Sequence, residues 1–170
     1  MKNRTIKDVV KNNDEEITFI WHPGQILDDV KAFQIYGFCL DTDGKVILVR
    51  DKDETRFTLP GGHVEEGESA KEALKREFEE EAQFLPQDIE LLGSLEVIVS
   101  DSNQNIKDHH QQVRFVCHIG NPGGFIPEKN GWETVERILV KPEDLPNYLE
   151  WIAYPTGKAQ FEDFLKKLDK

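Results

Sequence analysis

The chain has 170 residues, 38% of them hydrophobic, which suits the core of one domain and is short for two. Its 21 lysines and arginines against 33 aspartates and glutamates leave a net charge of -12, which opposes contact with a nucleic-acid backbone and excludes a nucleic-acid polymer as the expected partner. The sequence contains no run of about 18 apolar residues and no apolar stretch of signal-peptide type, so a cytoplasmic protein without a membrane partner is expected.

Residues 1–16 are polar and mixed in charge, which predicts a loosely held N-terminal extension ahead of a single domain over 17–170. Residues 17–21 read as a short strand closed by His22-Pro23-Gly24. Residues 33–40 and 45–50 are strand-like and flank Asp41-Thr42-Asp43-Gly44, whose Asp-Gly pair tolerates positive φ and predicts a hairpin. After Pro60-Gly61-Gly62, residues 69–84 read as one helix, with Ser69 as N-cap and Pro86 stopping its continuation. Two β-rich runs, 89–100 and 111–120, suit an antiparallel pair separated by a polar loop over 101–110. Residues 134–140 form a further strand, Pro142 opens a short helix, and 158–168 close the chain as an amphipathic helix with Phe161, Phe164, Leu165 and Leu168 on one face. Cys39 and Cys117 lie in apolar runs, as buried side chains rather than as a disulfide or metal knuckle. Strands mixed with three helices indicate a layered α/β or α+β domain.

The helix over 69–84 carries glutamates at 72, 77, 79, 80 and 81, and the plain reading of such a run is a solvated face. Periodicity divides it. At about 100° per residue, Glu77, Glu80 and Glu81 fall within a wedge of roughly 100° that overlaps the small apolar residues Ala70, Ala73 and Leu74, whereas Glu79 and Glu72 share the opposite wedge with Lys71 and Lys75. Three carboxylates against a partly buried surface repel one another and lose hydration, a cost that a divalent cation removes. The i, i+3 and i+4 spacing lets the three supply oxygens to Mg²⁺, and Arg76 stands at i+4 from Glu72 and i−4 from Glu80, placed to brace them. Ahead of the helix, Gly61, Gly62 and Gly67 form a loop through which backbone groups can approach phosphate or metal.

Gly62, Glu68, Arg76, Glu77, Phe78, Glu80, Glu81 and Phe84 together resemble the Nudix box: a glycine, five residues, a glutamate, seven residues, then R-E-apolar-x-E-E-x-G-apolar. The box spans 62–84, and the preceding FTLPGG resembles the family's entry into it; Gln83 stands where the family has its late glycine. The resemblance implies an α/β/α sandwich around a mixed β-sheet and hydrolysis of a diphosphate linkage in a nucleoside diphosphate joined to another moiety. It also implies Glu77, Glu80, Glu81 and the Gly62 carbonyl as ligands of Mg²⁺ or Mn²⁺, and Glu68 and Arg76 as the tie between loop and helix. The proton acceptor is a box glutamate or one from a later loop, for which Glu133 is the candidate. Arg50 and Arg56 are phosphate-contact candidates and Phe57 a stacking candidate. The substrate is a small nucleotide-like diphosphate that the sequence does not name, and a homodimer is left open. The competing readings are a catalytically inactive Nudix-fold nucleotide-binding or regulatory domain, an incidental calcium-binding acidic helix without an EF-hand loop, and a prenyl-diphosphate isomerase of the same fold.

Overall fold

Strands β3 (Ala32–Leu40), β4 (Val46–Asp51) and β7 (Ile106–His118) carry apolar residues on both faces, the pattern of strands covered on both sides. In the computed structural model, which describes residues 5–169, one face holds Ile35, Cys39, Ile47, Val49, Val113 and Phe115 against Ala73 and Leu74 of helix α1 (Ala70–Glu77). The other face packs Phe38, Leu40, Val46, Leu48 and Val116 against Ala159 and Phe164 of helix α2 (Pro155–Leu168). The result is an α/β/α sandwich. With β1 (Ile6–Asn12), β2 (Glu15–Pro23), β6 (Gln87–Asp101) and β8 (Thr134–Val140), the sheet runs β1-β2-β6-β7-β3-β4-β8, and β5 (Gly61–His63) pairs with β3 off this path. The β3–β7 pair is parallel and the others antiparallel, so the sheet is mixed. Cys39 and Cys117, far apart in sequence, are register partners in β3 and β7 and are free, buried thiols.

Two expectations are corrected, and a third, the hairpin, forms but pairs only next to its turn. The extension expected to be loosely held is a strand over 6–12, in register with β2 from Ile6↔Trp21 to Asn12↔Glu15; residues 1–4 lie outside the described residues. Its turn uses Asn13 at φ 53, a conformation asparagine tolerates. The Asp8 carboxylate also accepts hydrogen bonds from the backbone N–H (2.8 Å) and hydroxyl of Thr156 at the start of α2, a long-range contact that local polarity does not reveal. The loop expected over 101–110 shrinks because the β6–β7 ladder continues, with the Asp101 carboxylate closing the turn on the N–H groups of Asn103 and Asn105. The β3–β4 hairpin pairs only at Leu40↔Val46, after which β4 joins β8 and β3 joins β5 and β7. That divergence opens the sheet where the glycine strand enters. Among the described residues, no helix is long and apolar enough to cross a membrane.

Candidate active site

The carboxylate helix begins as expected, with Ser69 and Glu72 forming a capping box: Ser69 Oγ accepts from the Glu72 N–H at 3.2 Å and Glu72 Oε2 from the Ser69 N–H at 2.8 Å. It does not continue as a regular α-helix to 84. After Glu77 it widens into a π-helical turn over Phe78–Ala82. At about 80° per residue for an i→i+5 turn, the widening swings Ala82 back under the apolar face, where it is fully buried beside Phe78. Glu79 is exposed, and Glu77, Glu80 and Glu81 are partly buried. Gln83 then ends the helix in the left-handed region, φ 63 and ψ 40. Its side chain bonds both backbone groups of Ile126, accepting from the N–H at 3.0 Å and donating to the carbonyl at 2.6 Å. These two bonds help offset the cost of a non-glycine there, about 1–2 kcal/mol.

The glycine strand β5 lies against this helix. A Cβ on Gly62 would stand 2.6 Å from Glu77 Oε1, so any larger residue there requires the Glu77 carboxylate to shift. The Gly61 N–H donates to Glu81 Oε2 at 2.9 Å. Arg76 binds Glu68 through Nε (2.9 Å) and Nη2 (3.0 Å), Glu77 through Nη1 (2.8 Å) and the His63 carbonyl through Nη2 (2.9 Å), and lies 3.6 Å from Glu80. One guanidinium thus ties the 62–68 loop to the carboxylate face, and its hydrogen bonds hold the Glu68 carboxyl below its ordinary pKa.

Burial pushes Glu81 up to about 8, opposed by the Gly61 N–H and reinforced by the charges of Glu77, Asp51 and Glu80. Burial also raises Glu77, against the pull of Arg76 and with added repulsion from Glu80 and Glu68. Asp51, at the end of β4 and held by the Thr134 hydroxyl at 3.0 Å, is a fourth carboxylate in this field. Sequence reading passed over it because only the β4–β8 pairing carries it there.

Among the described residues no three His, Cys, Asp or Glu side chains already converge as a closed metal cluster. The donor set nevertheless suits a hard divalent cation: each of the bonds to Glu77 and Glu81 uses one carboxylate oxygen and leaves the other, and Glu81 has a backbone N–H but no cationic side chain bonded to it.

The remaining candidates lie further out. Arg50 is bonded to Glu136 by Nε and Nη2 and to the Glu54 carbonyl, and Arg56 is paired with Glu150 at 2.8 Å on the surface. Phe57 packs on the α2-side core and meets Tyr148 edge-on. Glu133 is exposed, its carbonyl accepting from the Lys52 N–H, one residue before the Thr134 that holds Asp51. None of these four lines the cavity of about 440 Å³ enclosed by the sheet and the start of α2, which Tyr36, Leu59, Arg114, Trp151, Tyr154 and Gln160 help line. No sequence signal marked those residues. They are scattered over 36–160 and meet only in the fold. His109 and His22 share Glu96, at 2.7 and 2.8 Å, across three strands.

The NUDIX domain model matches residues 31–161. An ADP-ribose pyrophosphatase of Methanocaldococcus jannaschii is 28% identical over 68% of this chain, which spans 63% of that relative's length. A Bacillus subtilis protein named "Putative 8-oxo-dGTP diphosphatase" is 32% identical over 74% of each chain. The crystal structure of the Bacillus subtilis pyrophosphohydrolase BsRppH superposes with a TM-score of 0.64 over 94% of this chain and 97% of that one, at 18% identity, a likeness of fold. These matches define a hydrolase of the class that acts on pyrophosphate bonds. The chain belongs to the Nudix family.

Proposed function

We propose that the protein hydrolyses the diphosphate linkage of a nucleoside diphosphate joined to another moiety, using Mg²⁺ or Mn²⁺ held by Glu77, Glu80, Glu81 and the Gly62 carbonyl. The observation that carries this reading is the burial of Glu77 and Glu81 against a glycine strand, with the Glu81 carboxyl raised by burial and by three neighbouring carboxylates. Such a group is held ready for a cation. When bound, a divalent cation neutralises phosphoryl oxygens and lowers the pKa of water. The chain's own groups then have separate tasks. Glu68 and Arg76 position the loop and the ligand glutamates, and Gly62 keeps the backbone close to them. Glu80, more open than Glu77, and Glu133 are the candidates for accepting a proton, and Glu133→Gln distinguishes them.

The two relatives are named for substrates with different bases, ADP-ribose and 8-oxo-dGTP, so the reading is tested without presupposing the base. Nucleoside triphosphates, nucleotide sugars, ADP-ribose and dinucleoside polyphosphates are incubated with Mg²⁺ or Mn²⁺, and mononucleotide and phosphate products are measured. Cleavage of one or more diphosphates, abolished by chelator and absent with phosphomonoesters, is expected. Undiminished turnover in excess EDTA, or only monoesterase activity, overturns the reading.

A further inference from the structure

Arg114 is 6% exposed on β7 and lines the cavity between the sheet and α2. Its guanidinium lies 4.7 Å from the centre of the Tyr36 ring and 5.9 Å from that of Trp151. It donates through Nη2 to Gln112 Oε1 at 2.9 Å, whereas among the described residues Nε and Nη1 have no acceptor. Among the described residues no carboxylate is bonded to it; Asp8, which lines the same cavity, is held by the Thr156 N–H and hydroxyl. Gln160, 1% exposed in the same cavity, donates through Nε2 to the Thr156 carbonyl, and among the described residues its Oε1 has no donor. Buried polar groups are nearly always paired, and leaving one unpaired destabilises the fold. Here an orphaned donor and an orphaned acceptor share one aromatic-walled chamber.

We infer that this chamber is the base-selecting subsite of the enzyme and that Arg114 and Gln160 make it prefer a 6-oxopurine, guanine or hypoxanthine, over adenine. The inference rests on the reading that the substrate is a nucleotide. A phosphate or carboxylate would satisfy the guanidinium alone and leave the Gln160 oxygen without a donor. A 6-oxopurine presents adjacent acceptors, O6 and N7, to the guanidinium, the pairing arginine makes most often with a base, and its N1–H supplies the missing donor. Adenine places an amino donor where O6 would be, facing another donor. The mostly aromatic and aliphatic walls suit a flat ring.

The chamber adjoins the carboxylates. Tyr36 pairs in register with Gly61, and its phenol lies in the field of Arg114 and of Glu81 and Glu77. Thr58 and Leu59 line the chamber and run directly into Pro60-Gly61-Gly62. A base seated beside Arg114 therefore directs its phosphates toward the glutamate face.

The test uses products, so that it reads the base subsite whether or not the hydrolase reading holds. GMP, IMP, AMP and CMP are titrated calorimetrically into the wild-type chain, Arg114→Met and Gln160→Leu, each with Mg²⁺. GMP and IMP are expected to bind the wild type about 10- to 100-fold more tightly than AMP and CMP. The gap should collapse in Arg114→Met and narrow in Gln160→Leu. Arg114→Met should melt at or above the wild-type temperature, because it replaces an unpaired buried charge by an apolar chain of similar length. Equal affinities in the wild type, a preference for AMP, no binding of any mononucleotide, or an undiminished gap in Arg114→Met each overturn the inference. Hydrolysis that favours guanine nucleotides together with that collapse confirms both readings. Selective GMP binding without hydrolysis of any diphosphate refutes the hydrolase reading and keeps this one.

Discussion

Glu81→Gln separates the electrostatic account of the helix from a merely structural one. In the metal-free protein the Glu81 carboxyl is raised from 4.5 to about 8. A group with a raised folded-state pKa contributes stability that is fully present below its unfolded value and is lost as pH rises toward the folded one. Between pH 4.5 and pH 7 that loss is about 3 kcal/mol, from 1.36 kcal/mol per unit. Glutamine has no such loss, and its carbonyl still accepts from the Gly61 N–H. In EDTA, Glu81→Gln should therefore match the wild type near pH 4.5 and exceed it at pH 7, by roughly 6–12 °C in melting temperature for a chain of this size. With Mg²⁺ added, the order should reverse, because the wild type gains ligand-dependent stability that the variant lacks. Scanning calorimetry at pH 4.5, 6 and 7, with EDTA and with Mg²⁺, measures both effects. A pH-independent difference in EDTA, or a variant less stable than the wild type throughout, refutes the reasoning.

Glu79→Gln, on the exposed side of the helix, should leave turnover nearly unchanged, while Glu80→Gln should lower it about a thousandfold, or about 4 kcal/mol of transition-state stabilisation; equal losses in steady-state assays would show that total charge matters rather than the face. Arg76→Lys cannot keep the fork on Glu68 together with the bonds to Glu77 and the His63 carbonyl, so a loss of about 1–3 kcal/mol in urea unfolding is expected. Gly62→Ala places a methyl 2.6 Å from Glu77 Oε1 and should weaken Mg²⁺ affinity, read as a higher metal concentration for half-maximal activity. Unchanged metal dependence would mean that Glu77 relaxes freely.

What the sequence determined by itself was local or periodic. The Ser69 cap, the Asp-Gly turn, the strand over 134–140 and the inward side of Glu77, Glu80 and Glu81 follow from neighbours a few residues apart, and the box spacing identified the family and with it the layered fold. The π-helical turn escaped because a regular 100° step fits the same letters. Only packing of Phe78 and Ala82 together on the α1-side core selects the wider turn. Strand β1 escaped because its polar residues are held by β2 and by Thr156, at separations no local pattern records. The grouping of Tyr36, Arg114, Trp151 and Gln160 was likewise decided by tertiary structure, through the parallel β3–β7 pairing and the seating of α2 across the sheet. A carboxylate helix is written along one stretch of chain, whereas a binding chamber is assembled from stretches that touch only after burial of the core brings them together.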